Sequence, residues 1–203
     1  MFEQHASDVE LPDDLRRAVE DELDRDERLY WTAQPIPGRL AMKTLPIMLF
    51  AIPWTGFAVF WMAAASGFGQ EGLDGPGMCF TLFGLPFVLI GLGMFSAPYW
   101  VYRKAGRSAY AITDRRAILL DAGWFGGLNV RSFGPDELDD ITRKQRADGS
   151  GDLIFRRDIS HTHDSTHTRD IGFMAIRNVK DVETIIRTMV ETARTNSAGP
   201  EAS

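Results

Sequence analysis

The chain has 203 residues, 44% of them hydrophobic, with a formal net charge of −6 and a single cysteine. One cysteine excludes a secreted scaffold held by disulfides, and a pI of about 5.2 excludes a general nucleic-acid binder, which needs excess Lys and Arg. Charge is uneven: residues 1–40 carry 5 basic and 11 acidic residues, 41–102 carry one lysine and two acids, and 103–203 carry 16 and 15. The nearly uncharged middle third therefore excludes a fully soluble globule, although the mean hydropathy is only −0.15.

Residues 1–27 are predicted to contain an acidic N-terminal helix, amphipathic over 9–27. Pro12 suits a first helical position, and the two aspartates after it suit the positive end of the helix dipole. The acid-rich remainder is expected to face solvent. Residues 28–40 are predicted to supply the first strand of a small β domain, ended by prolines. The apolar face of the helix repeats at a spacing of four, with Leu15, Val19 and Leu23.

Two uncharged segments follow, at 44–65 and 78–102. A stretch of 22 apolar residues in each rises about 33 Å as a helix, which matches the roughly 30 Å hydrocarbon core of a bilayer. The connection at 66–77 holds five glycines and two acids and is too short to fold alone. The two segments are therefore predicted to form a transmembrane helical hairpin, with 66–77 as its outer loop.

The charges that flank the hairpin predict its orientation. Arg39 and Lys43 precede the first span, and cations also follow the second, whereas the connection holds only acids. Because cationic flanks stay in the cytoplasm, both termini are expected to be cytoplasmic, with the glycine-rich connection outside.

The remainder of the β domain is predicted over 103–195. The strands are expected at 108–121 as a hairpin, at Asn129–Phe133, more weakly at Leu138–Gln145, at Leu153–Arg157 and at Ile171–Ile176, with a polar loop at Ser160–Thr168. An amphipathic helix follows, because Asn178 suits an N-cap and aliphatic residues recur at spacings of three and four up to Arg194. The tail at 196–203 is predicted to be disordered.

This order resembles the bacterial pleckstrin-homology (PH)-like membrane protein family, which combines a PH-like barrel with a two-helix membrane hairpin. The resemblance implies an integral membrane α+β fold: a two-helix transmembrane hairpin plus a small cytoplasmic PH-like β-barrel or sandwich, closed by the C-terminal amphipathic helix. It implies a multi-pass protein of the bacterial inner membrane, but no agreed activity and no catalytic residues. The matching segments are Glu27–Pro35, Tyr110–Arg116, Gly149–Phe155, Gly172–Ile176 and Val179–Ile186.

Five cations are predicted to contact lipid headgroups. Juxtamembrane cations each gain about 1 kcal/mol from anionic lipid, and the polar turn at 113–116 is expected to lie near the same surface. The alternative is that these residues only determine topology. The predicted contact residues are Arg103, Lys104, Arg107, Arg115 and Arg116.

Three histidines within seven residues, His161, His163 and His167, are weak candidates for a metal site. Imidazole is a common metal ligand, so this spacing offers three ligands to one ion. The alternative is a solvated hairpin tip, because the segment is a polar stretch rich in Ser, Thr and Asp and lacks a rigid supporting shell.

The sequence thus favours a non-enzymatic, membrane-anchored PH-like interaction or scaffold module without a cofactor. Its expected partners are the lipid bilayer and either another protein or a second copy, and not nucleic acid. Two alternatives remain: an anionic-lipid headgroup sensor at the cytoplasmic face, and a metal-binding or enzymatic site at the histidine cluster.

Overall fold

In a computed structural model of the chain, residues 11–66, 77–123, 127–162 and 165–197 are described. Within these ranges, the side chains of 77–80, 122, 159–162, 165–167 and 197 are not described. The chain divides into two compact units. Met1–Pro37 and Lys104–Ser203 form one, called here the β unit, and Gly38–Arg103 form the other, called the helical unit.

The β unit is a mixed α+β structure with two antiparallel sheets. The first sheet has four strands in chain order and the second has three. The first consists of β1 (Leu29–Ala33), β2 (Ala109–Thr113), β3 (Ala117–Ala122) and β4 (Leu128–Phe133), and the second of β5 (Thr142–Gln145), β6 (Gly151–Thr162) and β7 (Ser165–Ile176). Two further helices, α1 (Asp13–Glu22) and α5 (Val179–Ser197), complete the unit.

A tight turn joins β2 to β3, where the sequence predicted a hairpin. The Thr113 hydroxyl accepts hydrogen bonds from the backbone amides of Arg115 and Arg116, at 3.1 and 3.0 Å. A side-chain oxygen that binds nearby amides in this way replaces backbone turn bonds. Alternate residues of β2 then point to opposite sides of the sheet, so Tyr110 and Ile112 enter the core while the alanines beside them face outward.

The core of the β unit lies between the two sheets and beneath α5. Phe173 of β7 is at its centre, with ring centroids 4.8 Å from Tyr110 and 4.8 Å from Phe155. Trp31 of β1 packs on the same ring at 5.7 Å. Because β1 precedes the helical unit in sequence and β2 follows it, this core joins segments from both sides of the insertion.

The N-terminal helix α1 is shorter than the predicted 9–27 and begins after Pro12 rather than at it. Its apolar face is buried against the outward side of the first sheet, opposite the main core. The acidic segment therefore docks on the β unit. The buried residues of this second cluster are Leu11, Leu15 and Val19 from the N-terminal segment and Ala109, Ala111, Ile118 and Leu120 from the sheet.

Strands β6 and β7 are much longer than predicted, and the predicted polar loop at Ser160–Thr168 is wrong for the residues described. The backbone continues as paired strands as far as Thr162 and Ser165, leaving only 163–164 outside the described residues. The prediction failed because polar side chains do not prevent a strand whose backbone groups pair with a neighbouring strand.

The other differences are local. The strand predicted at Leu138–Gln145 is instead a short 3-10 helix at Pro135–Leu138 followed by β5, because Pro135 suits a first helical position and Leu138 turns into the core. Helix α5 extends to Ser197, so the first two residues of the predicted tail are helical. Residues 198–203 lie outside the described part of the chain.

The helical unit contains two long apolar helices. The short helix α2 (Pro37–Met42), which was not predicted, precedes α3 (Leu45–Ala65) and α4 (Gly77–Ala105). Helix α3 coincides closely with the predicted span 44–65, whereas α4 runs three residues beyond the predicted span 78–102. Most of the predicted connection, 67–76, lies outside the described residues.

Candidate functional site

Helices α3 and α4 contact each other along one narrow face. A Cβ atom added at Gly84 would overlap the Met62 side chain, and one at Gly91 would overlap Thr55. Both contact pairs are seven residues apart, which is the spacing of coiled-coil packing. The glycines therefore permit a close approach of the two helices, and the Trp54 Nε1 donates a hydrogen bond across it to the Phe87 carbonyl oxygen at 3.1 Å.

The remaining faces of both helices expose apolar side chains. The most apolar windows have mean hydropathies of 1.8 and 1.7, and only 11% of each is buried. Helices in the core of a soluble protein are mostly buried, so these are not core helices of the chain as described. Both are long and apolar enough to cross a membrane.

One side of the helical unit contains an apolar recess of about 340 Å³. Almost all of the surface that lines the recess is apolar. The Trp54 Nε1, a polar group of the lining, already donates a hydrogen bond to a carbonyl oxygen. The recess can therefore make only apolar contacts. Its lining is mostly aromatic: Trp54, Phe57, Ala58, Trp61, Phe83, Gly84 and Phe87.

Aromatic and cationic side chains meet at the C-terminal end of α4. The side chains of Tyr99, Trp100 and Tyr102 are between 55% and 58% exposed. The Arg103 guanidinium donates a hydrogen bond to the Tyr99 hydroxyl at 3.2 Å. Aromatic rings with polar edges and long cations are the side chains favoured at membrane–water interfaces.

The five predicted headgroup residues are not brought together. Lys104 and Arg107 are exposed just before β2, whereas Arg115 and Arg116 follow its far end. The five residues of β2 separate the two groups by roughly 16 Å at about 3.3 Å per residue. Only Arg103, Lys104 and Arg107 thus remain adjacent to the apolar helix, and Arg115 is exposed at the distant turn.

Arg116 is engaged in an internal network. Its Nε and Nη2 lie 2.9 Å from the two carboxylate oxygens of Glu27, and Nη2 also donates to the Glu22 carbonyl at the end of α1 at 2.8 Å. The Glu27 carboxylate accepts two further hydrogen bonds, from the Thr113 hydroxyl at 2.7 Å and the Asp24 amide at 2.8 Å. The network joins the segment after α1 to the turn between β2 and β3.

Protonation equilibria follow from this geometry. Burial alone would raise the pKa of Glu27, but the hydrogen bonds from Arg116, the Asp24 amide and Thr113 outweigh it and lower that pKa to about 2. The hydrogen bonds that Arg116 donates to the Glu27 carboxylate in turn raise the pKa of Arg116. Both groups are therefore charged at neutral pH, and the pair is a structural clamp rather than a proton donor.

The histidine candidates are only partly described. His161 pairs with Thr166 and His167 pairs with Ser160, so these two histidines occupy adjacent rungs of the β6–β7 ladder. The side chains of both lie outside the described residues, and so does His163. Among the side chains that are described, no three His, Cys, Asp or Glu are grouped to hold a metal ion.

The clamp between Glu27 and Arg116 was missed by the sequence reasoning. The two residues are 89 positions apart, and the only signals were one of several acids before the first strand and a cation in a turn. A second missed contact is the Tyr110 hydroxyl, which accepts a hydrogen bond from the Met174 amide at 3.2 Å; burial raises the pKa of this phenol.

Comparisons with known proteins give one weak structural likeness. No protein-family model matches the sequence, and no curated protein matches it. Among solved structures, the chain is similar to the crystal structure of a DUF1696 family protein with a pleckstrin-homology domain from Shewanella loihica PV-4. The identity is 14% and the TM-score is 0.30, over 43% of this chain and 74% of the other one. The DUF1696 family protein is therefore a weak structural neighbour of this chain.

Proposed function

We propose that the chain is a non-enzymatic, membrane-anchored PH-like interaction module. The helical unit spans the bacterial inner membrane, both termini are cytoplasmic, and the β unit binds another protein or a second copy at the cytoplasmic face. The observation that carries the proposal is the position of the two apolar helices. They are inserted between β1 and β2, so one sheet is assembled from strands on either side of a membrane-length hairpin.

The exposed faces of α3 and α4 support membrane anchorage. Large aliphatic and aromatic side chains on both helices are about half exposed along most of their length. Exposed apolar surface of this extent is unfavourable in water and favourable in hydrocarbon. The aromatic rings and Arg103 at the end of α4 suit the headgroup level.

The strand arrangement supports the PH-like fold. Four strands in one antiparallel sheet and three in the next, followed by a C-terminal helix that packs on the core between them, match the expectation from the sequence resemblance. Several buried polar groups of the β unit bind one another or the backbone. Asp152, for example, accepts a hydrogen bond from the Ala175 amide at 2.7 Å. Such groups favour a structural role over catalysis.

Membrane topology is tested with single cysteines in a chain whose native cysteine, Cys79, is replaced by serine. The substitutions Glu71→Cys in the connection, Asp14→Cys on α1 and Glu191→Cys on α5 are compared. A membrane-impermeant maleimide should label the first in intact spheroplasts and the other two only after permeabilisation. Labelling of the second and third in intact spheroplasts would overturn the proposed orientation, and recovery of the chain in the soluble fraction would overturn anchorage.

The interaction role is tested by purifying the tagged full chain from its native membrane in mild detergent and identifying what co-purifies. A stoichiometric protein that is lost on charge reversal of the exposed β5 residue Lys144, but kept with Arg115→Glu, would support an adaptor. A stable homo-oligomer would support the second-copy form of the proposal. A monomer with neither would contradict it.

Headgroup binding is a second candidate function, favoured by the exposure of Arg103, Lys104 and Arg107 beside the apolar helix. The variant Lys104→Gln/Arg107→Gln should co-purify with less anionic phospholipid per protein than the native chain. The matched control is Arg115→Gln, an exposed cation at the far end of β2. Equal loss in both variants would indicate a general charge effect and contradict a headgroup site.

A further inference from the structure

The apolar recess of the helical unit has a floor of two small residues and walls of aromatic rings. Ala58 is only 5% exposed, and Gly84 lies against the Met62 side chain where α3 and α4 meet. Among the wall residues, Phe57 and Phe83 remain 67% and 64% exposed. Small residues at the helix contact and large rings around it therefore leave a space of about 340 Å³.

Contacts among the rings hold the recess open. The Trp54 indole on α3 donates its hydrogen bond to the Phe87 carbonyl oxygen on α4, and the centroids of these two rings are 6.0 Å apart. Phe87 also packs on Phe83, with a centroid distance of 5.5 Å. Because Trp54 is fixed to the opposite helix, it cannot rotate into the recess without losing that hydrogen bond.

The recess lies in the half of the two apolar helices that is next to the connection at 66–77. Its α3 residues lie 4 to 11 positions before Ala65, and its α4 residues lie 6 to 10 positions after Gly77. At about 1.5 Å per residue, these positions are roughly 6 to 17 Å from the helix ends. Half of a hydrocarbon core is about 15 Å thick. In a membrane-spanning hairpin, the recess therefore lies among the acyl chains of one leaflet.

Water and a second copy are both poor occupants of this recess. Apolar cavities of even about 150 Å³ stay dry and take up small hydrocarbons, and the lining here is almost wholly apolar. Stable protein–protein interfaces use about 20–30 residues on each side, whereas seven residues line the recess. A single hydrocarbon chain needs only apolar contacts along its length, and the rings supply them by dispersion.

We propose that the apolar recess binds one acyl chain of a phospholipid from the leaflet nearest the connection. This inference rests on the proposed membrane anchorage of α3 and α4. The site is separate from the candidate headgroup residues, because Arg103 lies 16 positions beyond Phe87, roughly 24 Å along α4. It recognises the hydrocarbon chain and is indifferent to the charge of the headgroup.

The experiment counts the phospholipid that binds to the purified full chain. The chain is washed in a mild detergent, phosphatidylethanolamine with two palmitoyl chains is added in increasing amounts, and native mass spectrometry measures the lipid bound per chain. The proposal predicts one saturable lipid. In the variant Lys104→Gln/Arg107→Gln, phosphatidylglycerol with the same chains should bind as tightly as phosphatidylethanolamine. A strong preference of that variant for the anionic lipid would contradict recognition of the chain.

Two variants each remove one wall of the recess, Phe57→Ala on α3 and Phe83→Ala on α4. Both should weaken the binding of phosphatidylethanolamine several-fold, because the acyl chain loses a ring beside it. The matched control is Phe60→Ala, since Phe60 is 61% exposed on α3 and lies outside the lining of the recess. The control should bind like the native chain. Equal loss in all three variants, or no saturable lipid on the native chain, would overturn the proposal.

Failure of the membrane anchorage gives a different result from failure of the acyl-chain site. A chain recovered in the soluble fraction without detergent would overturn both. A chain that stays in the membrane fraction, while Phe57→Ala and Phe83→Ala bind lipid as tightly as Phe60→Ala, would overturn the acyl-chain site alone.

Discussion

The Arg116 guanidinium and the Glu27 carboxylate form a two-point ion pair, with both nitrogen–oxygen distances at 2.9 Å. The Glu27 side chain has no exposed surface, whereas that of Arg116 is 22% exposed. Glu27 lies before β1 and Arg116 lies after β2, with the helical unit between them in sequence. The ion pair therefore fastens the N-terminal segment to a sheet whose other strands are synthesised after the hairpin.

Replacing Glu27 by glutamine should destabilise the β unit by about 3 kcal/mol, because the change leaves the Arg116 charge partly buried without its counter-ion. Thermal unfolding of the full chain in detergent, followed by near-ultraviolet circular dichroism, measures the effect. The control is Arg115→Gln, which changes an exposed charge in the same turn and should alter stability by no more than about 0.5 kcal/mol.

A double-mutant cycle then isolates the pair. Arg116→Met keeps much of the aliphatic stem and removes the charge. If the two side chains act as a pair, the variant Glu27→Gln/Arg116→Met is less destabilised than the sum of the single variants, by about 1 kcal/mol or more. Simple additivity of the two losses would show that the residues stabilise the unit separately.

The clamp also predicts a dependence on pH. The pKa of Glu27 is lowered from 4.5 to about 2, so its ionised form stabilises the folded state fully above about pH 4.5 and this stabilisation is lost as pH falls toward 2. The difference corresponds to about 3 kcal/mol at about 1.4 kcal/mol per pKa unit. The stability gap between the native chain and Glu27→Gln should therefore narrow over this range, measured by urea unfolding in detergent; a gap that is the same at pH 7 and pH 3 would contradict the assignment.

The two apolar helices and the β2–β3 hairpin could be predicted from the local pattern of the sequence. A run without charges is visible whatever surrounds it, and Tyr110 and Ile112 alternate with alanines just before a polar turn. The outer half of the β6–β7 hairpin could not be predicted in this way, because its Ser, Thr and His residues show no alternation of apolar and polar side chains. Its strands depend on pairing with each other, and no local pattern reports that pairing.

The clamp was beyond sequence reasoning for a different reason. Glu27 is one of 11 acidic residues in the first 40, and no spacing marks it as the one that is buried. Arg116 was predicted to contact lipid headgroups because it follows the membrane segments in sequence. The structure separates it from Lys104 and Arg107 by the length of β2, since a strand carries the chain away from the point where it begins.

Packing within the helical unit is tested with two glycines of the same helix. Gly91→Ala should loosen the contact between α3 and α4, because the new Cβ would overlap the Thr55 side chain. The expected loss is about 1–3 kcal/mol. At Gly93 a Cβ meets no other atom within 4 Å, so Gly93→Ala should be neutral or slightly stabilising through helix propensity. Resistance of the folded chain to unfolding in sodium dodecyl sulfate compares the two, and an equal effect would contradict the proposed contact face.

Gly172 tests the irregular pairing of β6 and β7. The register shifts between Ile154 and Arg156, so Phe155 is an extra residue opposite Gly172 and Ile171. This bulge lets Phe155 enter the core beside Phe173. A Cβ at Gly172 would overlap the Leu153 carbonyl oxygen, which is backbone and cannot turn aside.

Gly172→Ala should therefore move β7 away from β6 and cost about 2–3 kcal/mol, as overpacking does in other cores. The matched control is Gly134→Ala, because Gly134 has an ordinary negative φ of −75° and open space where a Cβ would be. Hydrogen exchange of the β6 and β7 amides gives a local readout in addition to thermal unfolding. Faster exchange in both strands for Gly172→Ala, with native protection in the control, is the expected result. Native protection in both variants would show that the sheet accommodates a methyl group at Gly172, and the bulge would then not require glycine.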